Sequence, residues 1–398
     1  MQDLVCISHL RWGFVWQRPQ HLLTRLARNY RLFFVEEPMA DTTISEPVLK
    51  VYPGRTPQEV TVLCLHQPAQ QDEWIGHGDP RTQDEYERQL LDYLARQGVL
   101  DPLLWLYTPM AQPFVEALTP RLLIYDVMDE LAAFKGAPEA LKELDRRLLA
   151  TADVVFAGGA SLYRSRLPYA QNIHLFPSGV ETAHFAQAAN GDLSRPPDLA
   201  EVPAPVLGYF GVVDERMDLP LLAHLAQTHP DWQIVLVGPV IKIAPDDLPQ
   251  APNLHYLGMK EYRDLPAYLA YFDVALVPFA MNESTRFLSP TKTLEYLAAH
   301  KPVVSTPLPD IIELYGDYIR IGETPHAFVE QVEAALAEGN EERRVRRVKE
   351  QALLARNSWD TIAGQMDEQI QARLQAKMTL PNGDWQTRFD RQRLGEAI

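Results

Sequence analysis

A chain of 398 residues is too long to fold about one ordinary core, so its length predicts two domains. With 46% apolar and 23% charged residues it has the balance of a globular protein, and a net charge of −16 argues against nucleic acid or an anionic membrane as its main partner, leaving room for at most a local basic patch. The two cysteines, Cys6 and Cys64, lie in apolar strand-like runs without metal-ligand spacing, so a zinc site is not expected, and they read as core residues of a reduced intracellular protein.

In chain order, Leu4–Ser8 reads as a first strand. It is entered without the basic region, apolar segment and cleavage site of a leader, and no later run approaches the roughly 18 apolar residues of a membrane span, so a cytoplasmic protein is expected. The loop from His9 to Arg18 is followed by an amphipathic helix over Pro19–Arg28, with Leu22, Leu23 and Leu26 on one face, and by a second strand at Leu32–Val35. Strand, loop, helix, strand is the opening of a doubly wound α/β fold, whose ligands lie at the carboxyl ends of the strands. Val60–Leu65 and Leu103–Tyr107 read as further strands around a helical stretch from Asp79 to Gln97. Strand Leu122–Tyr125 ends in the run Asp126-Val127-Met128-Asp129-Glu130. A carboxylate there can take the proton of an acceptor hydroxyl, with Asp126 favoured by position and Asp129 second; the competing reading is a helix cap, which fits Asp129 better than Asp126. A helix at Leu141–Ala150, a strand at Val154–Ala157, a glycine turn at Gly158–Ser161 and a further helix at Leu162–Leu167 follow, and Gly179 is expected at a turn with positive φ.

From Gln187 to Pro205 the chain is rich in Pro, Asp and Ala without periodicity, which reads as an interdomain linker. The expected division is a first domain over 1–190, a linker over 191–204, a second domain over 205–357 and a terminal helix with its tail over 358–398. Val206–Phe210 opens the second strand-loop-helix unit, with Gly208 and Gly211 where a backbone approaches a phosphate, and Arg216 just beyond. Arg216 either neutralises a diphosphate or pairs with Asp214, Glu215 or Asp218. Gln233–Val237 ends at Gly238, Leu254–Leu257 at Gly258-Met259-Lys260, and Val274–Val277 leads through a loop into FLSPTKTLEYLAAHKPVVST, residues 287–306. Ser289-Pro290 signals a helix start, Leu294, Leu297 and Ala298 share one face, and His300-Lys301-Pro302 is the stop. Free N–H groups at that start, with Thr291, Lys292 and Thr293 in the first turn, suit a diphosphate. Lys292 opposes the helix dipole there, which makes sense beside an anion. Glu295, one turn on, faces the same way and can accept hydrogen bonds from a ribose. A long helix runs from Ser358-Trp359 to Lys377; in the tail, Trp385 and Phe389 with nearby basic residues are expected on the surface, where a membrane or partner contact is open.

SPTKTLEYLAAHKPVVST resembles the donor-site helix of GT-B-fold glycosyltransferases, where Ser-Pro-x-Lys-x-x-Glu-Tyr-x-Ala-x-x-Lys-Pro-Val-Val recurs. HLRWGFVWQRPQHLL is similar to the start of a bacterial group with an Arg-Pro-Gln signature, and YDVMDE to the place where relatives carry an aspartate or histidine facing the anomeric carbon. ATADVVFAGGASLYRSR with HLFPSGVETAHF, VLGYFGVVDERMDLPLLAHLA and NLHYLGMKEYRDLPAYLAYFDVALVPF match further segments of the same pattern, so the resemblance covers most of the chain. It implies two facing doubly wound, Rossmann-like domains with a cleft between them and a terminal helix crossing back to the first. The implied reaction transfers a sugar, as a hexosyltransferase would, from a UDP- or GDP-sugar to a hydroxyl acceptor in cell-surface polysaccharide or glycolipid synthesis. No cofactor or metal is needed, because Arg216, Lys292 and the helix N–H groups stabilise the leaving diphosphate. The donor set is Gly211, Arg216, Gly238, Met259, Lys260, Ser289, Pro290, Thr291, Lys292, Thr293 and Glu295. Acceptor binding falls to His9, Arg11, Trp12, Gly13 and Arg18, although the loop aromatics can equally plug the domain top. The acceptor is a glycan, lipid-linked or small-molecule hydroxyl, with peripheral contact at the inner face of the membrane open. One departure matters: where many retaining members carry the first of two glutamates spaced by seven residues this chain has Phe287, which favours inversion with an Asp base. A catalytically inactive partner subunit that binds a nucleotide sugar or glycan, and a nucleotide-sugar epimerase, remain as alternative readings.

Overall fold

A computed structural model describes residues 1–379 apart from 55–58, 69–74, 135, 284 and 290. The first sheet holds β1 (Gln2–Ile7), β2 (Tyr30–Val35), β3 (Met39–Ala40), β4 (Val48–Tyr52), β5 (Thr61–Gln67), β6 (Leu103–Leu106), β7 (Leu122–Val127), β8 (Val154–Ala157) and β9 (Ile173–Leu175), in the order β3-β5-β2-β1-β6-β7-β8-β9. Only β4 runs antiparallel, alongside β5; β3 and β4 are strands that periodicity alone did not announce. The second sheet is parallel throughout, with β10 (Val206–Phe210), β11 (Gln233–Val237), β12 (Leu254–Tyr256), β13 (Val274–Val277), β14 (Val303–Ser305) and β15 (Arg320–Ile321) in the order β12-β11-β10-β13-β14-β15.

Strands β6, β7, β10, β11 and β13 are buried at every residue, because helices cover both faces of each sheet; this is why they read as continuous apolar runs. Strand order reverses between β1 and β6 in the first sheet and between β10 and β13 in the second. At such points successive loops diverge and leave a crevice at the carboxyl ends of the strands, so the loops after β1 and β10 are where ligands are to be sought.

The terminal helix, Trp359–Thr379, packs on the first domain. Trp359, Ile362, Met366, Ile370 and Leu374 recur at helical spacing and are buried in one cluster with Leu22, Leu23 and Leu26 of the first helix, Arg18–Leu26. Burial of each large apolar side chain is worth about 1.5–3 kcal/mol. Gly179 does not have the positive φ expected from its turn. It is small for a different reason: a Cβ there would meet the Asn357 carbonyl oxygen at 2.9 Å and the Trp359 ring at 3.0 Å, where the terminal helix begins. Among the described residues no helix is long and apolar enough to cross a membrane. Trp385 and Phe389 lie outside the described residues.

Candidate active site

Three glycines form the floor on the second domain. Gly211, Gly238 and Gly258 follow β10, β11 and β12, all at positive φ. The Gly211 N–H donates to the Val237 carbonyl at 2.8 Å and the Gly238 N–H to the Gly258 carbonyl at 2.9 Å, so the three loop starts are stitched together. A Cβ on Gly238 would lie 1.9 Å from the Gly211 carbonyl oxygen, and one on Gly211 would lie 2.1 Å from Cε of Lys292. Only glycine lets the lysine stem cross this floor. The Lys292 ammonium ends 5.7 Å from the Tyr209 ring centroid, and burial lowers its pKa against the pull of Glu295. No carboxylate forms a salt bridge with it among the described residues, which leaves a half-buried cation free for an anion.

The helix carrying it starts later than Ser289-Pro290 suggests. It spans Lys292–Ala298 with Thr291 at the N-cap, and His300 at φ 55° ends it. Ser289 lies at the domain seam: a Cβ on Gly159 of the first domain would stand 3.1 Å from its own Cβ. Pro290 lies outside the described residues. Thr293 is fully buried and its hydroxyl has no partner, so it packs rather than binds. Lys260 also leaves the donor set: its ammonium pairs with Asp198 of the linker at 2.8 Å and sits 5.6 Å from the Tyr268 ring centroid. Its neighbour Met259 is 58% exposed.

The carboxylates after β7 separate into two roles. Asp126, with no exposed surface, accepts from Arg18 Nε at 2.9 Å and from Arg18 Nη2 at 2.9 Å, while Arg18 Nη1 donates to the Phe176 carbonyl at 2.8 Å. Burial raises the Asp126 pKa and Arg18 opposes the rise. Both partners are sealed, which corrects two expectations at once: Asp126 cannot meet a substrate hydroxyl and Arg18 cannot meet an acceptor. The pair ties the first helix to β7 and the segment after β9. Asp129, half-buried, faces the cleft. Its pKa is pushed up to about 6 by burial, against the nearby cations Arg216, Arg18 and Lys242. Two of these three belong to the second domain, so Asp129 looks across the cleft.

Arg216 realises both of its expected readings. Its guanidinium is held by Asp214, Nη2 to Oδ2 at 2.6 Å and Nε to Oδ1 at 3.0 Å, and it still acts electrostatically on Asp129. Lys242, which no motif pointed to, has φ 63° and places its ammonium 5.2 Å from the ring centroid of Phe134 in the opposite domain. Glu295 is pushed up to about 7 by burial, with Lys292 lowering and Glu181 raising it. Glu181, in the Ser-Gly-Val-Glu turn, accepts from the Tyr262 hydroxyl at 3.0 Å.

The loop after β1 is mostly structural. Arg11 donates to the Glu37 carbonyl, to the Pro38 carbonyl at 2.8 Å and to Glu36 Oε2 at 3.3 Å, clamping the end of β2 and correcting its assignment to an acceptor. Trp12 lies 5.0 Å from Phe34, centroid to centroid, and its N–H donates to Glu36 Oε1 at 2.7 Å, which makes it a plug. Gly13 is exposed with open space about its Cα. His9 is the exception: burial holds its pKa down to about 4, so its ring is neutral, and its Nδ1 has no partner. Among the described residues no group of three or more His, Cys, Asp or Glu is placed to hold a metal ion.

Comparison with known proteins fits this geometry. Residues 204–338, the second sheet and its helices, match the family described as glycosyl transferases group 1. The chain is 26% identical over 239 residues to the putative teichuronic acid biosynthesis glycosyltransferase TuaH of Bacillus subtilis (strain 168), a match covering 55% of this chain and 60% of that protein. Among solved structures it is similar to sucrose-phosphate synthase from Thermosynechococcus elongatus, with TM-score 0.71, 15% identity and 94% and 100% of the two chains covered. It is also similar to an E. coli structure described as trehalose-6-phosphate bound with UDP-2-fluoro glucose, with TM-score 0.69, 16% identity and 94% and 99% covered. The chain thus has the GT-B fold of two facing Rossmann-like domains, and its second domain matches the model of the group 1 glycosyl transferases over residues 204–338.

Proposed function

We propose that this protein transfers a sugar from a nucleotide diphosphate sugar to a hydroxyl acceptor, with inversion, and without a bound divalent metal. The observation that carries the reading is Asp129 of one domain within electrostatic reach of Arg216 and Lys242 of the other, while Lys292 crosses the glycine floor of that second domain. Lys292 and Arg216 take up the charge developing on the leaving diphosphate, the role a divalent cation fills elsewhere. Asp129, its pKa raised toward neutrality, removes the acceptor proton as the hydroxyl attacks. Glu295 accepts from the ribose. The UDP-2-fluoro glucose of the E. coli structure favours a UDP-hexose, with GDP-sugars next, and the TuaH match favours a glycan or lipid-linked acceptor in cell-surface polysaccharide assembly, at the inner face of the membrane.

The test is a binding and hydrolysis screen against UDP-, GDP-, ADP- and TDP-sugars with EDTA present, beside Lys292→Ala and Asp129→Asn. Support is one nucleotide that binds the wild type, is lost in Lys292→Ala, and binds Asp129→Asn without slow donor hydrolysis. Absence of binding at millimolar nucleotide sinks the transferase reading in favour of a non-catalytic partner subunit. An isomerised donor recovered without acceptor identifies an epimerase.

A further inference from the structure

Behind the segment that carries Asp129 lies a second cavity, of about 320 Å³, at the lower end of the range for small-molecule sites. Glu130, Lys142, Arg146, Arg166 and Tyr169 of the first domain line it, with Glu283 of the second. Its base is built rather than incidental. Arg166, 7% exposed, pairs with Glu130 and with Asp145 Oδ2 at 3.3 Å, and its Nε is buried without a partner. Those two carboxylates are therefore spent on Arg166.

What remains for a ligand is Lys142 and Arg146, for which no salt bridge exists among the described residues, set against Glu283 alone. The Arg146 guanidinium lies over the Tyr169 ring, 5.6 Å from its centroid, and that ring, 47% exposed, leaves apolar surface open beside the two cations. A free cation pair next to an aromatic platform fits a sugar ring bearing an anionic group. Position gives the site its meaning. Asp129 and Glu130 are consecutive, yet Asp129 is within electrostatic reach of Arg216 and Lys242 while Glu130 lines this cavity, together with Ala132 and Ala133 of the turn that follows. The cavity thus adjoins, through one peptide bond, the residue read above as the base.

We infer that this cavity is an acceptor subsite for a sugar unit carrying a carboxylate or a phosphate, its anion held between Lys142 and Arg146 and its ring on Tyr169. The inference rests on the transferase reading above. The experiment titrates glucuronate, glucose 6-phosphate and glucose into the full chain and into the double variant Lys142→Ala/Arg146→Ala, followed by calorimetry and ligand-observed NMR, with the nucleotide found above titrated into the same samples. Both substituted residues are exposed, so folding is not at risk. The expected result is that one or both anions bind at least about tenfold tighter than glucose, and that the double variant loses that preference by about tenfold while keeping its nucleotide affinity. The tighter anion identifies the acceptor chemistry as uronate or sugar phosphate. If the anions bind no better than glucose, or bind the variant as well as the wild type, while nucleotide still binds, the subsite is refuted and the transferase reading stands. Anions that bind through Lys142 and Arg146 when no nucleotide binds uphold the cavity as an anionic-sugar site and remove only the transferase reading.

Discussion

Replacing Asp126 with Asn tests the division of labour between the two aspartates. The substitution keeps the shape of the side chain and removes the charge that three N–H···O contacts from Arg18 now surround, at 2.9, 2.9 and 3.2 Å. The guanidinium, with a side chain 1% exposed, would then keep the Phe176 carbonyl and one amide oxygen but no counter-charge. Removing one partner of a buried pair leaves an uncompensated charge and destabilises by about 3–5 kcal/mol. That loss should appear as a lower urea midpoint for the first transition seen by tryptophan fluorescence, because Trp105 and Trp359 lie in the same cluster as the first helix. The double variant Arg18→Met/Asp126→Leu should recover most of the loss, since it removes both charges and keeps the volume. Asp129→Asn should behave in the opposite way, unfolding within about 0.5 kcal/mol of wild type, as substitutions outside a packed network do. Its transfer rate should fall by about 10²–10⁴-fold. An Asp126→Asn protein as stable as wild type but unable to transfer would overturn the assignment and return the base to Asp126.

Four further outcomes follow from the geometry. Lys292→Ala should weaken nucleotide binding by about 10–100-fold in calorimetry, the worth of a charged hydrogen bond, with the unfolding midpoint little changed. Gly211→Ala should weaken nucleotide binding as well by displacing Lys292, and should also lower the unfolding midpoint, since the added Cβ would lie 2.1 Å from its Cε and φ is 136° there; a normal affinity would show that the lysine reaches the donor by another route. Because Asp129 acts only when ionised and burial places its pKa at about 6, kcat/KM should fall tenfold per unit as pH drops below about 6, and Asp129→Asn should flatten that limb. Glu295 accepts from a ribose best as the carboxylate, so nucleotide affinity should weaken as pH falls through about 7, and Glu295→Gln should remove that dependence.

The parts of this protein that were legible in its sequence are those set by periodicity and by strand ends. The runs of β6 and β13 are continuously apolar because both faces of each sheet are covered, and with the alternation of strands and helices they announce a doubly wound fold. Short strands such as Met39–Ala40 carry too few residues for a period to register. The site was legible where one backbone position decides it, as at Gly211, and illegible where a partner distant in sequence decides it. Nothing local in Arg18 says that it will meet Asp126, 108 residues on, and nothing local in Lys260 says that Asp198 will claim it. Lys242 escaped for the converse reason: its position across from Phe134 and Asp129 exists only once the domains face each other.

The seam between the domains explains the residue that departs most from the family pattern. Phe287, standing where many relatives of this fold carry a glutamate, packs against the core cluster of the first domain under the guanidinium of Arg286, 5.4 Å from the ring centroid. Also at the seam, Asp310 of the second domain, fully buried, accepts the Ser161 N–H of the first at 2.8 Å, and a Cβ on Gly159 would lie 2.3 Å from its other oxygen. An apolar plug and a carboxylate cap therefore hold the two domains together on this side. A glutamate in place of Phe287 would put a charge into that apolar contact, so its absence has a packing cause that is independent of reaction stereochemistry. The argument for inversion consequently rests on Asp129 and not on Phe287. Phe287→Glu should loosen the domain seam, seen as an increased radius of gyration in solution scattering, without changing the anomeric configuration of the product; a switch to retention would show that the position governs the chemistry after all.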